Sequence, residues 1–494
     1  MAAQTISKTF KQAVKGAQAW KHKVPVLQNA VDTSAAPVIA PEHDLPMGTW
    51  SEDQIRAAVK DSTMLTWMPG KAKNGLPILE RGEGVYVYEK GTGKQYLDWT
   101  SQAVCSNIGY DMPPAVMQAV TQQMKQLPFA YGGLSICEVR ARLSALVSEI
   151  MPGDLQGMVF PSSGSEANEA AIMMARRYTG KHKVLNWYRS YHGGTSNSLQ
   201  ATGDSRRWFG RDSVPGFIKA HNPFPLFFEY AGATQAEQTQ MALTMLEEQV
   251  LGEGPDTIAM ISFESIVGSG GVLIPPEGFM QGVRAICDKY NIVLHFDEVM
   301  VGFGRTGKLF GFQNFEGVLP DIISCAKGIT SSAIPMSMTA CRKPIMDFFE
   351  ENPIGWGSTY QAHPVAMACA YEQIKHLIKN DIVGNAARLG PVMEENMKTL
   401  AEQHPCIKQY RSIGLFGCFD VMNPDGSVPQ MQHQPVNQAF VEYKKAYNEA
   451  GLIGLLRPPL LHVAPPLVIT EEELLDGFAR QDKALDTLDQ ALGF

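Results

Sequence analysis

No two of the eight cysteines are spaced C-x-x-C and no histidines cluster at zinc-like intervals, so neither a redox dithiol nor a structural zinc is indicated. Cysteines 105, 137, 287, 325, 341, 369, 406 and 418 stand singly, which implies free thiols in a reducing compartment. No stretch approaches the roughly eighteen continuous apolar residues that a membrane-spanning helix needs, and a soluble protein without a membrane partner is expected. Basic residues are in deficit, 42 Lys plus Arg against 50 Asp plus Glu, giving a net charge of −8. Phosphate backbones are held by clustered excess cation, so a nucleic-acid partner is excluded and a small-molecule substrate is expected. There is no internal repeat and no low-complexity tract. What remains is a chain of 494 residues, 45% hydrophobic and 19% charged, long enough for two globular domains or one with elaborations.

The first thirty-one residues hold Lys8, Lys11, Lys15, Lys21 and Lys23 but no acid, and Ile6, Phe10, Val14 and Ala17 fit a helical apolar stripe. This resembles a mitochondrial transit peptide, although the segment lacks arginine; a surface arm explains it equally, so the localisation reads as mitochondrial or cytoplasmic. Residues 32–50 form an irregular connector. Val85–Tyr88 and Gln95–Leu97 flank Gly91-Thr92-Gly93-Lys94 as a hairpin. Beyond residue 115, apolar runs at Met158–Phe160, Val184–Trp187, Ile258–Phe263, Ile292–Phe296 and Ile322–Cys325 alternate with helical patterns, one of them in Pro276–Tyr290. That alternation predicts an α/β fold: a large domain, 115–364, with a mostly parallel sheet flanked by helices. A smaller α+β domain is expected from 51–114 and 365–494, with 1–50 as the arm.

Several motifs sit where such a fold places chemistry. In Phe160-Pro161-Ser162-Ser163-Gly164-Ser165-Glu166-Ala167-Asn168-Glu169 a strand enters a small-residue turn and then a helix, with Ser163 and Glu166 at capping-box spacing. Free amides at that helix start suit a phosphate; a plain helix cap explains the same residues. Asp297 follows the Ile292–Phe296 run, at the strand edge where α/β sheets bind ligands, unless it caps a turn. Lys327 lies thirty residues later, behind another apolar strand, where desolvation would yield the neutral amine that Schiff-base chemistry requires. Ser190-Tyr191-His192-Gly193-Gly194-Thr195 offers an aromatic able to cover a flat heterocycle, or a core tyrosine. Gly355-Trp356-Gly357-Ser358-Thr359-Tyr360 is a second candidate anion loop. Gly302-Phe303-Gly304-Arg305-Thr306-Gly307 matches G-x-G-x-x-G, but it abuts no strand and opens no helix, so a glycine-rich active-site loop is the better reading.

Taken in order, these segments resemble the class III aminotransferases, of the fold-type I pyridoxal-phosphate group, over roughly residues 65 to 490. The resemblance implies pyridoxal 5'-phosphate as cofactor, Lys327 as its Schiff-base lysine and Asp297 as the carboxylate facing the pyridine nitrogen. It further implies Ser163, Gly164 and Ser165 at the phosphate, Tyr191 and His192 at the ring, and Val299 on the opposite ring face. Thr359 matches a hydroxyl that reaches the phosphate of a neighbouring subunit, implying a homodimer with shared sites. For substrate, it places Trp67, Glu264 and Arg457 at the pocket, with Ser265 where the family usually has proline. Ala103 and Val104 fall where relatives carry larger residues, implying a roomier pocket. Arg457 resembles the carboxylate-binding arginine of the ω-amino acid:pyruvate branch, so taurine or β-alanine as donor and pyruvate or glyoxylate as acceptor are expected.

Other class III reactions stay open, among them alanine:glyoxylate and 4-aminobutyrate aminotransferases, aminomutases and decarboxylases. So do two readings outside that class. One is a non-catalytic relative. The other is a metal hydrolase on His295, Asp297 and Glu298, for which no third ligand appears at helical spacing.

Overall fold

β-branched and aromatic runs form strands wherever both faces can be covered, and five such runs supply the centre of this protein. The computed structural model describes residues 40–210, 214–224, 234–430 and 434–494; the N-terminal arm and the connector up to residue 39 lie outside the described residues. Seven strands make one sheet: β1 Leu155–Val159, β2 Lys183–Trp187, β3 Phe217–Ala220, β4 Ile258–Glu264, β5 Val293–Asp297, β6 Ile322–Cys325 and β7 Met338–Arg342. Their spatial order is β1-β7-β6-β5-β4-β2-β3. All neighbours from β6 to β3 run parallel, while β7 is antiparallel to both β6 and β1. Strands β3 and β7 were not anticipated. Phe217–Ala220 contains Lys219, and Met338–Arg342 alternates apolar with polar residues, so neither reads as an unbroken apolar run.

Every residue of β4, β5 and β6 is buried. Helices on the two faces account for this. Helix α1, Gly164–Thr179, packs on β4, β6 and β7, and α2, Phe279–Tyr290, packs on β5. Register then matters more than composition. Ser262 pairs with His295, Glu264 pairs with Asp297, and Asp297 pairs with Ser324. Two acidic side chains therefore end adjacent parallel strands at one level, and Lys327 follows three residues beyond Ser324.

By Cα proximity the chain forms two units. The smaller holds the described residues up to Glu80 together with Glu89–Thr92 and residues 434–435. Its helix Glu52–Ser62 opens on a capping box between Ser51 and Gln54. The helix closes on Lys73, whose Nζ donates to the carbonyls of Val59, Lys60 and Thr63. The larger unit holds Arg81–Tyr88 and nearly everything from Gly93 onward. Within it the expected hairpin pairs Tyr86, Val87 and Tyr88 with Leu97, Tyr96 and Gln95. Leu452–Ile453 then adds parallel to Leu97–Asp98, tying a C-terminal segment to an N-terminal one. A second antiparallel sheet is built from Ile407–Ile413, Phe416–Val421, Leu460–Val463 and Leu456–Arg457. Among the described residues no helix is long and apolar enough to cross a membrane.

The Gly302–Gly307 segment turns out to be scaffold rather than active-site loop. Arg305 is fully buried there, and among the described residues no carboxylate forms an ion pair with it. Its Nη1 donates to the carbonyls of Leu415 (3.0 Å) and Pro465 (2.5 Å), and its Nη2 to Ser101 Oγ (3.1 Å) and Asn107 Oδ1 (3.2 Å). One guanidinium thus knots four separated stretches of the larger unit. A lysine ammonium has no planar fork with which to reach all four acceptors. Arg305→Lys is therefore expected to lower unfolding free energy by about 2–4 kcal/mol, measured by denaturant titration of cofactor-free protein.

Candidate active site

The turn after β1 opens α1 on Ser163, whose Oγ accepts from Glu166 N at 3.3 Å. Glu166 does not complete the anticipated reciprocal box. Its carboxylate reaches one residue further, accepting from the backbone and hydroxyl of Ser162. The amides of Gly164 and Ser165 have no acceptor among the described residues, as the first turn of a helix leaves them. Side chains cannot replace glycine here: a Cβ on Gly164 would meet Val299 Cγ1 at 2.8 Å. Gly193, at φ 146°, lies as tightly, since a Cβ there would fall 2.5 Å from Ser165 Oγ. Gly194 N donates to that same Ser165 hydroxyl at 3.0 Å.

These amides open onto a cavity of about 350 Å³. Ser163, Gly164, Ser165, Tyr191, His192, Glu264, Asp297, Val299 and Lys327, all anticipated from the sequence, line it together. Ala103 and Val104 are not among its lining; Val104 is buried in a cluster with Ile266, Val301 and Phe416. Asn168 lines the cavity and had been given no role. It lies four residues after Gly164, so helical spacing was the available signal.

Asp297 is the most constrained group. Its Oδ2 accepts from His192 Nδ1 and from Asn168 Nδ2, both at 2.7 Å, and its Oδ1 accepts from Val299 N at 3.0 Å. Burial by itself would push this carboxyl up; the hydrogen bond and charge of His192 outweigh it and hold Asp297 below the ordinary carboxylate range. His192 Nε2 and Asn168 Oδ1 are buried with no hydrogen-bond partner among the described residues. The neighbouring histidine is spent differently. His295 Nδ1 meets Ser262 Oγ at 2.8 Å and its Nε2 meets Ser324 Oγ at 2.9 Å, so the ring laces β4, β5 and β6 together. Burial lowers it to about 3, and it stays neutral. Glu298 accepts from Ser265 Oγ and from the amides of Gly311 and Phe312. With both ring nitrogens of His295 and the Glu298 carboxylate engaged, the metal-hydrolase reading loses its ligands.

Lys327 sits in a short turn at φ 33°, and its amine has no hydrogen-bond or ion-pair partner among the described residues. Burial lowers its pKa to about 8, with the negative charges of Asp297 and Glu264 limiting the fall. Glu264 Oε1 accepts from Tyr191 N (2.9 Å) and its Oε2 from Gly268 N (2.8 Å); burial raises this carboxyl to about 7. Arg457, on the short edge strand Leu456–Arg457, is absent from the cavity lining, yet its charge acts on Lys327, Tyr191 and Glu264. Thr359 is exposed and lies apart from the cavity of its own chain. Trp67 belongs to the smaller unit and is more than half exposed there.

A helix start with free amides, an ionised buried carboxylate with open polar neighbours, a covering ring and an amine brought down to about 8 fit pyridoxal phosphate group by group. That is the class of enzyme the site defines. The sequence matches the family described as aminotransferase class-III over residues 68–485. It is 32% identical to a taurine–pyruvate aminotransferase of Rhodobacter capsulatus over 436 residues, covering 84% of this chain and 91% of that protein. It is 30% identical to a diaminobutyrate–2-oxoglutarate transaminase of Halomonas elongata over 434 residues, 84% of this chain and 91% of that protein. A taurine:2-oxoglutarate aminotransferase from Bifidobacterium kashiwanohense, solved with PLP and glutamate, superposes with a TM-score of 0.84 at 32% identity, covering 90% of this chain and 99% of that one. The chain belongs to the class III aminotransferases and is a pyridoxal-phosphate-dependent enzyme.

Two outcomes follow from the geometry. An amine titrating near 8 attacks an aldehyde only when unprotonated, so the rate of pyridoxal phosphate capture by cofactor-free protein should rise with pH through about 8 and level off above it, and should vanish in Lys327→Ala. Stopped-flow absorbance reads this directly. Asp297→Asn keeps the shape but removes the charge that His192 and Asn168 surround, and should cut turnover by about 10²–10³-fold in steady-state assays.

Proposed function

We propose that this enzyme moves the amino group of an ω-amino acid or amine, such as taurine or β-alanine, to pyruvate or glyoxylate. The observation that carries this reading is the charge distribution beside the cavity. Arg206 is neutralised by a bidentate pair with Asp204. Arg457 forms no ion pair among the described residues. One unpaired guanidinium suits an acceptor with one carboxylate; a dicarboxylic oxo acid asks for a second cation. The taurine–pyruvate relative supports the same choice, whereas the relatives named for 2-oxoglutarate favour the alternative acceptor.

When bound, the cofactor supplies an electron-accepting ring for the pair released as the substrate Cα–H bond breaks. Gly164 and Ser165 amides would hold its phosphate, and Tyr191 and Val299 would cover its two faces. Asp297, held ionised, would keep a proton on the ring nitrogen. Lys327 would hold the cofactor and, when its Nζ is free, would carry the proton taken from the substrate carbon to the cofactor carbon. Arg457 would bind the acceptor's carboxylate, and Glu264, fixed by two amides, would form the wall opposite.

We further infer a homodimer with shared sites. Thr359 is exposed and does not reach its own cavity. An apolar surface that includes Phe129, Leu134 (86% exposed), Ile136 (82%) and Tyr360 is more than isolated surface residues would explain.

Purified enzyme given a panel of amines with pyruvate, glyoxylate or 2-oxoglutarate should yield alanine or glycine in proportion to donor consumed. Glutamate as the main product would overturn the acceptor assignment. Arg457→Ala should raise KM for pyruvate about 10–100-fold with little change in kcat for the amine half-reaction. Mixing Lys327→Ala with Thr359→Ala chains should restore cofactor affinity at one site per mixed dimer. No restoration, or a monomeric mass by light scattering, would sink the shared-site arrangement.

A further inference from the structure

The Tyr191 ring faces the cavity on one side. On the other lies Arg206, its guanidinium carbon 3.5 Å from the ring centroid and its side chain only 13% exposed. Arg206 is absent from the cavity lining, so it backs the Tyr191 ring from outside the cavity.

The guanidinium is held in its plane. Nε lies 2.9 Å from Asp204 Oδ2, Nη2 pairs with the same carboxylate, and Nη2 also donates to Ser269 Oγ at 2.9 Å. Asp204 in turn caps the turn Ser205–Phe209 by accepting from Arg206 N at 2.9 Å. The amides of Gly203 and Asp204 both donate to the carbonyl of Ser190, the residue before Tyr191. On the opposite flank, Ser269 follows Gly268, whose amide donates to Glu264, and Glu264 accepts the amide of Tyr191 itself. The contacts close on themselves, from Tyr191 through Glu264, the Gly268–Ser269 turn and Arg206 back to the Tyr191 ring.

We propose that Arg206 is a positioning residue for this enzyme's cofactor, acting through Tyr191: clamped by Asp204 and Ser269, it fixes the plane of the ring that covers pyridoxal phosphate. A turn-stabilising ion pair alone would need no stacking on Tyr191 and no bond to Ser269. A cation on one face of a phenol draws on its π electrons and fixes its tilt, both of which bear on how the other face receives a flat, electron-poor ring. The proposal rests on the pyridoxal-phosphate assignment of the site.

The test uses full-length protein, stripped of cofactor and titrated with pyridoxal phosphate. Arg206→Leu should weaken binding about tenfold and change the circular dichroism of the bound cofactor's absorption band, which reports ring orientation. Arg206→Lys keeps the cation without the fork and should fall between wild type and Arg206→Leu. In a Tyr191→Ala background, Arg206→Leu should cause no further loss, because its effect passes through the ring that is already gone. A loss of equal size in both backgrounds would overturn the proposal. So would unchanged affinity and dichroism accompanied by a lower melting temperature, since that describes a structural ion pair. If Arg206→Leu does not fold, Arg206→Lys and Ser269→Ala, each alone and with Tyr191→Ala, carry the same comparison. Wild-type protein that captures no cofactor would overturn the assignment beneath the proposal, an outcome distinct from capture that ignores Arg206.

Discussion

Removing a carboxylate from water is tolerable only when its charge is answered, and at Asp297 that requirement organises the site. His192 and Asn168 both point at Oδ2, and Val299 N turns back to Oδ1. Each of the three belongs to a different segment: the loop after β2, the first turns of α1 and the loop after β5. Satisfying one charge therefore brings together the phosphate-ready helix start, the ring-covering loop and Val299, which would face the other side of a bound ring. The partnerless Nε2 of His192 and Oδ1 of Asn168 mark where this shell stays open.

Around that fixed negative charge the other titratable groups are shifted toward neutrality. Burial brings Lys327 down to about 8 and carries Glu264 up to about 7, so amine and acid both titrate close to physiological pH. Arg457 adds positive charge without entering the cavity, and Arg206 has its own charge cancelled by Asp204. A site built this way has one permanent anion, one switchable base and, beside it, a guanidinium at Arg457 that forms no ion pair among the described residues. Most of its selectivity then depends on which partners the cations already have.

Much of this was legible in the chain. Mainly apolar runs, each broken by one polar residue (Asn186, Ser262, His295 or Ser324), identified β2, β4, β5 and β6, because strands covered on both faces need no regular polar alternation. Asp297 and Lys327 were singled out because each follows such a run, and because a phosphate-ready helix start and an aromatic before His192 complete the set in order. Strand β7 was missed since it carries polar residues among apolar neighbours: Thr339, buried with its hydroxyl donating to the Ala167 carbonyl, and Arg342 at its end. The G-x-G-x-x-G stretch misled in a different way. Its glycines allow a tight turn, and a turn that binds a ligand has the same local signature as one that buries Arg305.

The sequence by itself determined the α/β order of elements, the identity of the lysine and the acid, and the small-residue helix start, because each depends on local pattern and on residue chemistry. Tertiary structure alone decided who answers whom. That His192 and Asn168, rather than His295, meet Asp297 and that Arg206 backs Tyr191 are consequences of register and loop course. Such contacts join residues up to 129 positions apart, and no local periodicity encodes distances of that kind.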